Sequence, residues 1–115
     1  MRQEVEMTET PNPHYTVEKV ETVAASPTLR AKRFTLAVAQ EIPWHYHNEI
    51  TDWFFCLDGK LRVETRAPRQ EHLLPVGGSC SVPAKTAHRV SNAGDGRCQF
   101  LILQGVGTYD YVPVG

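Results

Sequence analysis

AQEIPWHYHNEITDWFFCLDG, residues 39–59, is the stretch on which the fold reading turns. Successive side chains of a β-strand point to opposite faces. Across Trp44–His47 this puts His45 and His47 on one face and Trp44 and Tyr46 on the other. Across Asp52–Leu57 it puts Asp52, Phe54 and Cys56 on one face and Trp53, Phe55 and Leu57 on the other, before Asp58-Gly59 ends the run as a turn. Both faces are apolar apart from the aspartate. If the histidines point inward, Trp44, Tyr46, Trp53, Phe55 and Leu57 stand outward together, where a half-solvated sheet should be polar.

Outward from this stretch the same texture continues. Further strands are expected at Tyr15–Val23, Leu29–Ala39, Lys60–Arg66, His72–Leu74, Ser79–Val82, Ala87–Asn92 and Cys98–Gln104. Turn residues separate them at Ser26-Pro27, Ala67-Pro68, Gly77-Gly78 and Ala93–Gly96. No window shows a sustained helical period. Short, evenly spaced strands predict an all-β sandwich or barrel built from antiparallel hairpins. Residues 1–14, polar and ending in Pro11-Asn12-Pro13, read as a flexible N-terminal arm, leaving 15–115 as one barrel domain. A chain of 115 residues is of ordinary single-domain size.

Twelve basic and thirteen acidic residues nearly cancel, and no stretch concentrates Lys or Arg, which argues against nucleic acid as a partner. No apolar run approaches the ~20 residues that span a bilayer, and Met1–Thr10 lacks the apolar segment of a signal peptide. Cys56, Cys80 and Cys98 have no paired spacing. The expectation is a cytoplasmic protein with reduced thiols.

Three of the five histidines carry the chemistry. His45 and His47, on one strand face with Cα atoms ~6.6 Å apart, can converge on one ion. Asp52 opens the next strand after the short connection Asn48–Thr51, from which its carboxylate can return beside the imidazoles; Glu49, within that connection, is the competing carboxylate. His88 opens a later strand. Three nitrogens and one carboxylate form a mixed donor set suited to Fe(II), Mn(II), Ni(II) or Zn(II), the ion itself undetermined. Phe54 and Val90, on the ligand faces, are expected to line a pocket. Lys85, in the turn leading to His88, is either a solvated turn residue or a ligand clamp. Arg30, Lys32 and Arg33 read as an exposed basic face.

At these positions the sequence resembles the cupins, whose two motifs are Gly-x5-His-x-His-x3/4-Glu-x6-Gly and Gly-x5-Pro-x-Gly-x2-His-x3-Asn. The first falls on Ala39, His45, His47, Asp52 and Gly59, the second on Gly77, Pro83, Lys85, His88 and Asn92. All spacings are kept, with Ala39, Asp52 and Lys85 departing in residue type. The resemblance implies a single-domain cupin, a double-stranded β-helix or jelly-roll barrel, with His45, His47, His88 and the carboxylate at Asp52 around a metal. Lys85 in place of a turn glycine loses easy access to positive φ, whereas Ala39 is expected to be harmless.

Cupins span many reactions, so fold alone settles none. The expected function is a metal-dependent enzyme, dioxygenase-like, acting on a small organic acid or keto/enol compound that chelates the metal. The alternative is a non-catalytic cupin that binds or senses a small molecule. The outward aromatics predict a homodimer; the competing cover for them is the chain's own Tyr15–Val23.

Overall fold

The computed structural model describes residues 12–115; most of the expected arm, residues 1–11, lies outside the described part. Ten strands follow in chain order: β1 (Lys19–Ala25), β2 (Leu29–Leu36), β3 (Glu41–Tyr46), β4 (Thr51–Asp58), β5 (Leu61–Thr65), β6 (Gln70–Leu74), β7 (Ser79–Val82), β8 (His88–Asn92), β9 (Cys98–Gly105) and β10 (Val112–Pro113). They form two five-stranded antiparallel sheets, β1-β2-β9-β4-β7 and β10-β3-β8-β5-β6. This is the all-β, antiparallel architecture expected from the strand texture, in the jelly-roll form that the resemblance implies, and no helix among the described residues is long and apolar enough to cross a membrane.

Cross-strand register sorts the interior into rows. On the inner face of the first sheet, Phe34, Phe100 and Cys56 are directly opposed across β2, β9 and β4. Lys32, Ile102 and Phe54 form the next row, and Arg30, Gln104 and Asp52 the one after. In the second sheet Leu61 pairs Asn92, Ile42 and Val63 flank Val90, and His45 and Thr65 flank His88. Each sheet therefore runs from an apolar end to a polar end, and the two polar rows face each other. The apolar end is closed by stacked Phe34 and Phe100, centroids 5.1 Å apart, and by fully buried Leu36, Leu61 and Cys98. Burying such side chains contributes about 1.5–3 kcal/mol each.

Asn92 does more than end its strand. Its Nδ2 donates to the carbonyls of Leu36, Ala37 and Gly96, and its Oδ1 accepts from Gly94 N, tying β2, β8 and the turn before β9 together. Gly59 sits at φ +76°, and a Cβ there would lie 2.4 Å from the carbonyl oxygen of Arg97.

Three expectations change. β2 stops at Leu36 because the chain turns over Ala37–Gln40, where Gln40 accepts from Ala37 N and Ala39 takes φ +69°, so alanine there is not neutral. Residues 15–18 are not strand, although Tyr15 and Val17 still pack on the core. Most consequentially, β3 and β4 are not a hairpin. They belong to different sheets, joined by a corner at Asn48–Ile50. Trp44 and Tyr46 therefore lie on the outer face of one sheet, and Trp53, Phe55 and Leu57 on that of the other. The single five-residue patch does not exist. Trp44 is covered within its own sheet by Arg66, 4.0 Å from the ring centroid, and flanked by Arg89.

Positive φ makes opposite demands at two motif positions. Gly59→Ala should lose at least about 1–3 kcal/mol in a denaturant titration, whereas Ala39→Gly should gain up to about 1 kcal/mol.

Candidate metal centre

The site forms where the polar rows meet. His45 comes from β3, His88 opens β8 beside it, His47 lies in the corner after β3, and Asp52 enters from β4 of the opposing sheet. All four are buried, with exposures of 4% or less. One potential ligand atom from each lies within 4.8 Å of all the others. Donors each about 2.1 Å from one ion stand about 3 Å apart when adjacent and about 4.2 Å when opposite, so modest side-chain adjustment would bring the four onto one ion.

The tautomers are set by the backbone. His45 Nδ1 donates to Pro43 O, His88 Nδ1 to Thr86 O, each at 2.8 Å, and His47 Nδ1 to Asp110 O. With the proton on Nδ1, each Nε2 offers a lone pair. Asp52 Oδ2 stands 3.2 Å from His47 Nε2 and 2.9 Å from His88 Nε2, while its Oδ1 accepts from Gln104 Nε2 at 3.1 Å. Lone pairs facing a carboxylate oxygen repel unless a cation lies between them, either a proton or a metal ion. The donor set thus fits a divalent transition metal, which the group His45, His47, Asp52 and His88 could hold.

The electrostatics agree. Burial pushes His45 down to about 3, helped by the neighbouring His88, so it stays neutral. Burial also opposes charge on His47, but the hydrogen bond and charge of Asp52, with Asp110 behind, outweigh it and raise its pKa. Asp52 is likewise penalised by burial, yet the hydrogen bonds from His47 and His88 hold it well below the usual carboxylate range.

Glu49 points elsewhere: its Oε1 accepts from Thr108 N. Phe54 and Val90 line a cavity of about 310 Å3 that the metal group opens into. Lys85 is not part of its wall. Its Nζ donates to Asn48 O and its backbone N to His47 O, so it staples the corner, at φ +66°. Cys56 is a buried core residue whose Sγ lies 3.6 Å from the carbonyl oxygens of Asp58 and Gly59.

Several wall residues escape a motif reading. Arg30 and Lys32 face inward and line the cavity, correcting the exposed basic face; of that cluster Arg33 turns outward, to Glu21. Their period-2 partner Phe34 was the available signal. Tyr111 stacks on His45 at 4.4 Å, and Tyr109 packs 5.4 Å from His47. Asp110 also anchors the corner through both carboxylate oxygens, which accept from Asn48 N and Nδ2. This segment follows the last expected strand, where the sequence offered only a Tyr-Asp-Tyr run.

Barrel and site together define a cupin. Residues 32–104 match the family described as Cupin domain, and the chain belongs to it. Among solved structures it is similar to a variant of oxalate decarboxylase from Bacillus subtilis, with a TM-score of 0.76 and 21% identity over 91% of this chain and 30% of that one. Oxalate decarboxylase from Lactobacillus farciminis, as a formate complex, gives 0.76 and 15% over 95% and 33%. A cupin domain from Schizosaccharomyces pombe gives 0.70 and 18% over 76% and 64%. These identities establish likeness of fold alone, and this chain spans about a third or less of the decarboxylase chains. No curated protein matches the sequence.

His47→Ala should abolish stoichiometric metal uptake in a protein that stays β-rich. Asp52→Asn should weaken affinity about 10–100-fold and Glu49→Gln leave it unchanged, by metal titration. Because the raised pKa of His47 favours its protonated form, metal must displace that proton. Apparent affinity should rise about tenfold per pH unit below the His47 pKa and level off above it. Asp52, already ionised, and His45, already neutral, add nothing to that window. Proton release, measured calorimetrically in buffers of different ionisation enthalpy, checks the sign.

Proposed function

We propose that this protein is a metal-dependent enzyme acting on a small organic acid that chelates through carboxylate, keto or enol oxygens, with dioxygenase-like chemistry as the leading reaction. The observation that carries this reading is the opening of a buried three-histidine, one-carboxylate group onto a cavity of ligand size, with His45, His47 and Asp52 in its wall. A closed structural site offers no such face. A bound first-row metal would supply Lewis-acid or redox chemistry there. The chain's residues hold, orient and shield. Gln104 fixes the Asp52 carboxylate, and Tyr109 and Tyr111 wall the imidazoles from water. Ile42, Phe54, Val90 and Ile102 give the cavity an apolar floor.

Iron, manganese, nickel and zinc all suit the donor set; manganese centres occur in the Bacillus subtilis oxalate decarboxylase. Outside the metal group, the ionisable residues among the described lining are Arg30, Lys32 and three tyrosines. Burial, with Tyr109 nearby, pushes the Tyr111 phenol up to about 12, so it keeps its proton at neutral pH and is a poor base. Chemistry centred on the metal is favoured over reactions that need a general base. The same scarcity favours a second reading, ligand binding without turnover. Elemental analysis of the purified protein, then oxygen-uptake screening of the iron form with keto and enol acids, separates them. Oxygen consumption supports the oxygenase; tight binding without product supports the binding protein.

For assembly, the reading is a homodimer on the outer face of the first sheet. There Trp53 opposes Leu103 and Phe55 opposes Leu101, with Leu57 exposed at the end of the strand. Sedimentation should give a dimer at micromolar concentration, and Trp53→Glu a monomer. Three free cysteines are in keeping with a reducing, cytoplasmic setting.

A further inference from the structure

The polar row of the first sheet runs Arg30, Gln104, Asp52 across three adjacent strands. Two strand spacings put the Cα atoms of Arg30 and Asp52 roughly 10 Å apart on one inner face. Gln104 and Asp52 are engaged with each other and with the imidazoles. Arg30 is not. Its guanidinium carbon stands 3.6 Å from the centroid of the Tyr109 ring, a cation–π contact that restrains the side chain. Its Nε is buried and, among the described residues, meets no acceptor. One other buried side-chain atom shares that condition there, the hydroxyl of Tyr111. Both residues belong to the wall of the same cavity.

A buried donor without a partner is costly, and a cationic one more so. Two such donors in one ligand-sized space, one on a restrained guanidinium, describe a site for an oxyanion. Asp52 is the one carboxylate among the described lining residues and is held by His47, His88 and Gln104. Among the described residues no acceptor meets Arg30 Nε, and a ligand carboxylate would supply one. Arginine offers a planar fork that a carboxylate meets with two parallel hydrogen bonds.

We propose that the ligand is a short dicarboxylic acid, one end directed to the metal group and the other, remote carboxylate bound by Arg30, with the Tyr111 hydroxyl as a further donor. This deepens the reading that His45, His47, Asp52 and His88 hold a metal for a chelating acid, and rests on it. Monocarboxylates of equal length satisfy the metal end and leave Arg30 buried without an acceptor, which gives the cavity its selectivity.

The test is calorimetric titration of the full chain, loaded with Zn(II) and with its metal content measured on the same sample, against succinate and glutarate and against butyrate and valerate. The expected result is at least about tenfold tighter binding of the dicarboxylates, lost in Arg30→Gln with metal content unchanged. Arg30→Lys, which keeps the charge without the fork, should retain part of the preference and serves if the glutamine variant does not fold. Equal affinity for both acid classes in metal-loaded wild type, or the same preference in wild type and Arg30→Gln, overturns the proposal while leaving the metal site intact. A preference for dicarboxylates that depends on Arg30 in protein that takes up no metal supports the Arg30 site and overturns the metal reading instead.

Discussion

Three backbone carbonyls, those of Pro43, Thr86 and Asp110, each hold the Nδ1 proton of one buried imidazole, and the chemistry of this protein depends on that arrangement. A histidine ring has two nitrogens of nearly equal basicity, and whichever one gives its proton away leaves the other as a donor. With all three protons directed outward, Nε2 of His47 and of His88 face Asp52, and His45 completes the group. Two of the carbonyls lie two residues before the histidine they serve, so they come with the local strand geometry. The third comes from the far end of the described chain, brought in by the pairing of β10 with β3. A loose C-terminal segment would leave His47 free to rotate or change tautomer.

The rest of the interior answers to the same constraint. A buried group of like-facing donors is costly unless it is surrounded by partners on one side and apolar packing on the other. The sheets meet that need by grading from phenylalanine, leucine and cysteine at one end to arginine, glutamine, histidine and aspartate at the other. Phe54, packed edge-on to His88 at 6.3 Å, stands at the boundary. Asn92 and Gly59 secure the apolar end, where turns must close tightly, and Lys85 secures the corner at the polar end.

Much of this was legible in the sequence. Strand positions followed from turn residues and alternation, and the facing of His45, His47 and Asp52 from parity alone. Parity, however, describes one strand at a time. It placed Trp44 and Trp53 correctly on outward faces but could not say that β3 and β4 part company into different sheets. A chain that turns a corner and one that turns a hairpin look alike over four residues. The basic residues of β2 were misread for a related reason. Arg30 and Lys32 share a parity with Phe34, yet charge outweighed parity in the reading, because cations are rarely buried without a purpose. The tyrosines beyond β9 carry no periodicity, and their role follows from long-range pairing that local sequence does not encode.

The dependence of His47 on Asp110 also has a meaning for the order of events in the cell. During synthesis the two imidazoles of the first motif emerge from the ribosome some sixty residues before the carbonyl that orients one of them. Until then a nascent chain carries exposed, conformationally free histidines, able to pick up whichever ion binds imidazole most avidly rather than the one the finished cavity favours. In the folded protein that corner is held by Asp110, through its carbonyl and both carboxylate oxygens. For a metal held by this group, the choice of ion would then be partly a question of timing, set by whether an early, loosely held ion is released faster than the barrel closes around it.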